Sequence, residues 1–479
     1  MDKIKSKKRI LGINQPRYKH QSVSRRDRCS AINPRLYYPP YPVIEVLGNL
    51  DESSFKFIDA NLHDYDYKYL RKEIEMYRPE VIIFTISNDV RDFDMKLSSI
   101  TKSVDRSIMT ILVYDPLYAS AFPEEFLKEY QDLDVIILCE PYPTFKKLVM
   151  RHFSELDAIE NIAYRDYNGE IKVNELLTGY DYDEVNTPFY NKGDIAMYGT
   201  AKGKYILYRS TRDCPYPCNF CLIGGSTAKE RGYTRKLKYK SASHVYEDLK
   251  HFVDYYGVRK IKFLDETFTM IRSRTNELLD LIIGNNLQIE WYCETRCDCV
   301  DMDLLKKMKL AGCRNISFGI EGASNERLKY LQKNLKIEQV IETFKYCNEI
   351  NMPCGAFFLF GFPDQSLREI DHMLKLALQL NARNVQFSLI TPQPKTILFD
   401  KIMSFSNFNI KLKDMLNAPL GKKAFFGSPD LSKEQLLKLH KILWGVFSFV
   451  YSLKHFKVIH PKWVLSYIQY LWLKNIKCR

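Results

Sequence analysis

The sequence predicts an α/β protein in three parts: an N-terminal open parallel sheet, a partial (β/α)6 barrel and a helical C-terminal region. Three observations predict it. Short apolar runs alternate with helix-period segments over residues 9–153, and a second such series runs from 205 to 389. Residues 433–479 are basic and aromatic and read as terminal helices. The expected divisions are 1–155 for the first sheet, 156–200 for a hairpin and linker, 201–400 for the barrel and 401–479 for the tail.

In the first series the strands are expected at 9–14, 55–59, 81–85, 109–113 and 134–138, each a short apolar run like a strand buried on both faces. Helical patterns fall at 42–47, 67–76, 92–104, 124–130 and 144–153. In such sheets ligands sit at the carboxyl ends of the strands. The loops there contain Asn88, Asp89, Asp115, Pro116, Leu117, Glu140, Pro141 and Tyr142. A hairpin at 162–165 and 170–173 turns on Asn168-Gly169, a strong hairpin signal. The polar stretch 177–193 reads as a linker. The second series places strands at 205–210, 260–264, 289–293, 315–320, 356–360 and 384–389. Helices are expected at 243–256, 274–285, 303–310, 338–349 and 367–380. Six such units make a partial barrel, with chemistry at the C-terminal strand ends.

Composition narrows the class. The 479 residues carry 71 Lys+Arg against 58 Asp+Glu, a net charge of +13, with 46% hydrophobic and 27% charged residues. These fractions belong to a folded chain, not to disordered or collagen-like ones. No run of about 18 apolar residues occurs, so no spanning helix is expected. The opening MDKIKSKKRILGI lacks the apolar stretch of a signal peptide. Twelve cysteines in such a chain imply a reducing compartment, here the cytoplasm, and close Cys spacings then read as metal or redox chemistry. From Lys433 to the end there are nine Lys/Arg and one acid, interleaved with Trp444, Phe447, Phe449, Tyr451, Trp463, Tyr467, Tyr470 and Trp472. This tail reads either as a contact with a membrane surface or anionic partner, or as a helical cap with a solvated basic face.

Cys214, Cys218 and Cys221 follow the first strand of the second series with the spacing C-x3-C-x2-C. Three thiolates on one short loop suit three irons of a [4Fe–4S] cube, leaving the fourth iron open to an outside ligand. Structural zinc takes four ligands, and common ferredoxin patterns supply a fourth nearby Cys; here none follows until Cys293. The competing readings are inert thiols or a zinc site completed from elsewhere.

This motif, with Phe220 as the aromatic before the third cysteine, resembles the C-x3-C-x-aromatic-C signature of the radical S-adenosylmethionine (SAM) superfamily. The whole chain is most similar to the subgroup with an N-terminal cobalamin-binding-type, Rossmann-like domain before a TIM-type partial barrel. The resemblance implies a [4Fe–4S] cluster on Cys214, Cys218 and Cys221, with SAM as cosubstrate and cobalamin as a further cofactor. It implies that Asp265 and Glu266 meet the SAM amino group. It also implies that Glu294 and Arg296, which alternation puts on one strand face, meet the SAM carboxylate and ribose. The segment Ser317-Phe318-Gly319-Ile320-Glu321-Gly322 resembles the family's G-I-E-S-G-S, with Glu321 suited to ribose hydroxyls. Gly361 resembles the strand-end glycine near the adenine, and 391–396 a loop over the substrate opening. Cys293, Cys297 and Cys299 are expected to face the helices rather than to hold a second cluster.

Two loops depart from the subgroup. Residues 113–117 and 139–144 carry Tyr114, Asp115, Cys139, Pro141 and Tyr142 where relatives have glycine-rich turns, and His63 lacks the context of a cobalt ligand. Either the corrin's tail takes another path, or the domain shapes the substrate pocket without it. The implied activity is cleavage of SAM to a 5′-deoxyadenosyl radical, used for cobalamin-dependent methyl transfer to an unactivated carbon. The alternatives are a cobalamin-independent rearrangement or cyclisation, and a non-catalytic cofactor-binding paralogue. An RNA methylthiotransferase would need three N-terminal cysteines, and only Cys29 and Cys139 are present. The implied partners are a small-molecule or peptide substrate and a flavodoxin- or ferredoxin-type electron donor, with no nucleic acid expected.

Overall fold

The runs read as buried strands form β1 (Ile10–Asn14), β2 (Phe55–Asp59), β3 (Val81–Phe84), β4 (Met109–Leu112) and β5 (Val135–Ile137). They pair in parallel in the order β5-β4-β3-β1-β2. Their continuous hydrophobicity has a direct cause, since both faces are covered. One face, with Leu11, Ile13, Ile82, Phe84 and Ile136, packs on Ile74 and Phe126. The other, with Ile10, Val81, Ile83, Ile111 and Val135, packs on Val43, Leu47 and Phe145. Helix Tyr67–Tyr77 starts where the Asp66 side chain accepts from the Tyr69 amide (2.8 Å).

The computed structural model describes residues 3–26, 31–32, 36–115, 118–139, 141–177, 179–200, 203–223, 237–404, 421–455 and 459–477. Cys29, Pro116, Leu117, Glu140 and the side chain of Trp472 lie outside them. The chain divides into two compact units: Met1–Pro215 with Ser226–Lys262, and Tyr216–Gly225 with Phe263–Arg479.

In the first unit the expected hairpin forms as β6 (Ile162–Arg165) and β7 (Ile171–Val173), turning at Gly169 with φ +84°. It adds to β5 in antiparallel fashion, so the sheet is parallel at five strands and antiparallel at one edge. Helix Pro141–Met150 begins three residues before the expected 144, because Pro suits the first helical turn. Within the stretch 177–193, expected as a polar linker, two aromatic side chains are packed inside the unit. Tyr182 and Tyr190 are buried, and their hydroxyls donate to Glu45 Oε1 (2.9 Å) and the Leu207 carbonyl (2.6 Å). β8 (Ile206–Tyr208) neighbours β9 (Lys260–Phe263), whose first three residues close this unit.

The second unit holds β10 (Glu290–Thr295), β11 (Cys313–Glu321), β12 (Cys354–Phe360) and β13 (Asn384–Leu389), parallel and adjacent in chain order. The second series thus has its six strands. Along β10 and β11 burial alternates: Trp291, Cys293, Thr295, Ile316, Phe318 and Ile320 are sealed, while Tyr292, Glu294, Ser317, Gly319 and Glu321 stay partly open. That alternation leaves one face of the strands free for chemistry. Helices Lys433–Lys454 and Pro461–Lys477 end the chain. The first is long and apolar enough to cross a membrane by length and composition, which the absence of an unbroken apolar run did not anticipate. One side of it, with Leu436, Leu439, Leu443 and Val446, is buried against the protein, as in a core helix.

Candidate functional site

Thr211 and Arg212 pair with Tyr239 and Lys238, and the three cysteines follow. The approach to Cys214 is held under strain. Asp213 takes a left-handed backbone, φ +68°, and its buried carboxylate pairs with Lys238. Beyond, Tyr216–Gly225 belongs to the second unit, and Asn219 fixes it there through both backbone and side chain. The Asn219 amide donates to the Leu331 carbonyl (3.0 Å), the Asn219 side chain to the Tyr330 carbonyl (2.6 Å), and the Leu398 amide to the Asn219 carbonyl (3.0 Å). Phe220 packs with Leu331, Phe362, Ile390 and Leu398, so the motif's aromatic is an anchor. Cys218 is buried; Cys214 and Cys221 are half-buried, and all three are free thiols.

Arg296 follows β10 and is almost wholly buried. Its guanidinium grips Asp298 with two hydrogen bonds (2.9 and 2.8 Å), donates to the Lys333 carbonyl (2.7 Å) and lies over the Tyr216 ring, 3.5 Å from its centroid. Its remaining nitrogen, Nη1, is buried without a hydrogen-bond partner among the described residues. A buried charged donor with two free N–H groups fits an anionic or carbonyl group that the described residues do not supply.

Lys333 was not singled out from the sequence, and the structure puts it here. Gln332 and Asn334 on either side are both left-handed (φ +51°), which turns the buried Lys333 inward to Glu321 at 3.3 Å. Burial opposes its ammonium, yet Glu321 and Cys218 outweigh that and raise its pKa. Burial pushes the Cys218 thiol up, and Lys333 and Arg296 pull it back. Two cations therefore bear on a cysteine of the motif and offset part of the burial, while its pKa stays raised overall.

Glu321 is itself left-handed (φ +73°), beside a register shift between β11 and β12. Gly319 leaves room for this pair, since a Cβ there would come within 2.7 Å of Glu321 Oε1 and 3.1 Å of Lys333 Nζ. Gly361 takes φ +81°, and a Cβ would press Leu389 at 2.9 Å. The acidic pair separates: Asp265 is 1% exposed, while Glu266 is half-buried. Glu294 lies on the open face, paired in register with Ser317, and its carbonyl accepts from the Phe268 amide (3.1 Å).

Cys293 and Cys297 are buried, and burial holds both thiols far up. The Thr343 hydroxyl donates to the Cys297 carbonyl from helix Ile337–Glu349 (3.2 Å). Cys299 departs from the expected helix-facing set. Its sulfur lies 3.2 Å from the hydroxyl of Tyr216, inside the cysteine motif, because the strand ends at Thr295 and a tight turn at 297–299 redirects the chain.

The C-terminal edge of the first sheet has another character. Gln15 Nε2 and Oε1, Ser87 Oγ, Asn88 Oδ1, Ser120 Oγ and Thr144 Oγ1 are all buried without a hydrogen-bond partner among the described residues. They follow β1, β3, β4 and β5. Each orphan costs about 1–3 kcal/mol, so six at one edge fit a ligand rich in neutral donors and acceptors. The loops are also tightly filled. Tyr114 and Tyr142 are buried, and Asp115 accepts from Asn88 Nδ2 (2.9 Å) and the amides of Tyr118 (2.9 Å) and Ala119 (2.8 Å). His63 is tied to Asp194 (2.9 Å) and stacked on Tyr65.

Residues 208–377 match the family model of the radical SAM superfamily. The chain is 26% identical over 356 residues to an uncharacterized methyltransferase of Pyrococcus horikoshii, covering 73% of this chain and 75% of that protein. Among solved structures it is similar to the cobalamin-dependent SAM radical enzyme OxsB, solved with aqua-cobalamin and SAM (TM-score 0.70, 15% identity, 97% of this chain and 70% of that one). It is also similar to the radical SAM methyltransferase TsrM of Kitasatospora setae, solved with cobalamin and a [4Fe–4S] cluster (TM-score 0.65, 14% identity, 82% and 74%). The cysteine loop therefore lies within a radical SAM domain, residues 208–377, and the chain is an enzyme.

Proposed function

We propose that the protein is a cobalamin-dependent radical SAM methyltransferase that alkylates an unactivated carbon of a small-molecule or peptide substrate, with a flavodoxin- or ferredoxin-type donor supplying electrons. The observation that carries the methyl-transfer reading is the set of orphaned neutral groups at the edge of the first sheet, Gln15, Ser87, Asn88, Ser120 and Thr144. Corrin side chains are neutral amides and suit such partners.

When bound, the cluster supplies the electron that cleaves SAM to methionine and a 5′-deoxyadenosyl radical, and cobalamin supplies a transferable methyl group. The chain's own residues do the rest. Cys214, Cys218 and Cys221 would hold the cluster, and Lys333 and Arg296 offset part of the burial that disfavours the thiolate of Cys218. Arg296 Nη1 is the free donor for the SAM carboxylate. Asp265 and Glu266 would meet the SAM amino group and Glu294 the ribose; Glu266 and Glu294 are half-buried and Asp265 is sealed. Glu321 reaches a ribose hydroxyl only by sharing its carboxylate with Lys333. Gly361, whose backbone is left-handed, would let the chain approach the adenine closely.

A second reading rests on Tyr114, Asp115 and Tyr142 filling the strand-end loops. There the domain shapes a substrate pocket, and the radical drives a rearrangement or cyclisation without cobalamin. Anaerobic reconstitution with iron, sulfide and hydroxocobalamin, followed by gel filtration, separates the readings. Methyl transfer requires about four irons per chain, SAM-derived 5′-deoxyadenosine, and corrin absorbance in the protein peak. A corrin-free peak that still cleaves SAM establishes the second reading.

A further inference from the structure

The last helix, Pro461–Lys477, is fixed on one side and, among the described residues, exposed on the other. The buried Tyr470 hydroxyl donates to Asp371 Oδ1 (2.6 Å). Ser466 lies so close to Gly445 of helix Lys433–Lys454 that a Cβ there would come within 2.3 Å of its hydroxyl. The rings of Phe449 and Tyr467 are 5.2 Å apart. This packing leaves Leu465, Ile468 and Leu471 exposed, the first two at 56%. Their three-residue spacing puts them in one stripe, with Lys462 exposed at its head. Trp444, 54% exposed, and Lys441, also exposed, lie on the partner helix. Elsewhere among the described residues the exposed large apolar side chains, such as Met76, Met150, Tyr167 and Leu310, stand singly on separate elements.

The charge identifies the occupant. From Gln435 to Arg479 the sequence has no Asp or Glu, while Lys433–Arg479 carries nine Lys/Arg. A second copy would bring one basic face against another and be repelled. An anionic lipid surface offers both things the stripe lacks: an apolar layer for leucine, isoleucine and tryptophan, and negative headgroups for lysines. We propose that the outer face of these two helices docks on an anionic membrane surface, lying along it rather than crossing it.

The test is flotation of the full-length, anaerobically purified chain with phosphatidylcholine vesicles, with and without phosphatidylglycerol. Recovery with the anionic vesicles only, lowered by added salt, is expected. Leu465→Ser with Ile468→Ser should reduce the bound fraction at least about ten-fold, and Lys441→Glu with Lys462→Glu should do likewise. The second pair changes only exposed lysines and guards against a folding artefact, and an unchanged melting temperature checks this. Equal recovery on neutral vesicles, no flotation, or unaltered binding by both variants overturns the proposal. So does a dimer in light scattering that the same substitutions dissociate, which would make a second copy the occupant.

Discussion

The strand ends of the two sheets treat buried polarity in opposite ways. In the second unit the charged groups are already matched, Arg296 to Asp298 and Lys333 to Glu321, and of Arg296 only Nη1 is left over among the described residues. At the edge of the first sheet the unmatched groups are neutral hydroxyls and amides, and there are several. The difference follows from cost. An unpaired buried charge is penalised by several kcal/mol, whereas a neutral orphan costs about 1–3 kcal/mol. A site for a charged cosubstrate must therefore be neutralised in advance and exchange partners on binding. A site for a neutral, amide-rich ligand can wait with its hydrogen bonds unmade.

The largest expected effect breaks the charged site at its root. Cys218→Ala should reduce bound iron from about four per chain to near zero after reconstitution. Cys214→Ala and Cys221→Ala should match it, read by iron and sulfide analysis and by the visible and EPR spectra. A full cluster in any of the three removes the assignment.

Next, Arg296→Ala should weaken SAM binding by about 1.5–3 kcal/mol, roughly ten- to a hundred-fold. It should also lower the melting temperature, because Asp298 is left without its bidentate partner. Arg296→Lys separates the roles. It keeps the charge but not the fork, and should recover more stability than SAM affinity, measured by isothermal calorimetry. An unaltered dissociation constant in both variants would make Arg296 purely structural.

A pH experiment sharpens the first-sheet side. Asp59, at the end of β2, is fully buried. Burial raises its pKa from 3.8 to about 6, against hydrogen bonds from Tyr198, Leu62 and Asn14 that lower it. Folding therefore favours the protonated acid. Its contribution is fully present below pH 3.8 and is lost as pH rises through about 6. Relative to wild type, Asp59→Asn should gain stability across that window, reaching about 1–3 kcal/mol at pH 7 and level above it. Urea midpoints from pH 4 to 8 measure this, and a pH-independent difference would refute it.

The smallest effect tests the orphaned edge directly. Thr144→Val and Gln15→Leu should leave the ligand-free protein unchanged or stabilise it by up to about 1 kcal/mol, since each removes an unmade hydrogen bond. The same variants should bind hydroxocobalamin more weakly in a visible-spectrum titration. Destabilised ligand-free protein would mean that these atoms already have partners.

The sequence by itself determined what depends on local pattern. Continuous apolar runs marked β1 to β5 because both faces of that sheet are covered. Period-two alternation placed Glu294 on the open face of β10, and the spacing of Cys214, Cys218 and Cys221 marked the cluster loop. The tertiary structure decided what depends on contacts between distant residues. Lys333 reads in sequence as one more polar residue after a helix; two left-handed neighbours and a partner twelve residues earlier in the chain make it a buried cation. Arg296 was legible as a barrel residue, but its grip on Asp298 and its stacking on Tyr216 depend on a turn that ends the strand. The stretch 177–193 looked like a linker because its polarity was visible and the pockets for Tyr182 and Tyr190 were not. Burial, left-handed backbone and ion pairing are properties of neighbours in space, and a residue's neighbours in sequence fix few of them.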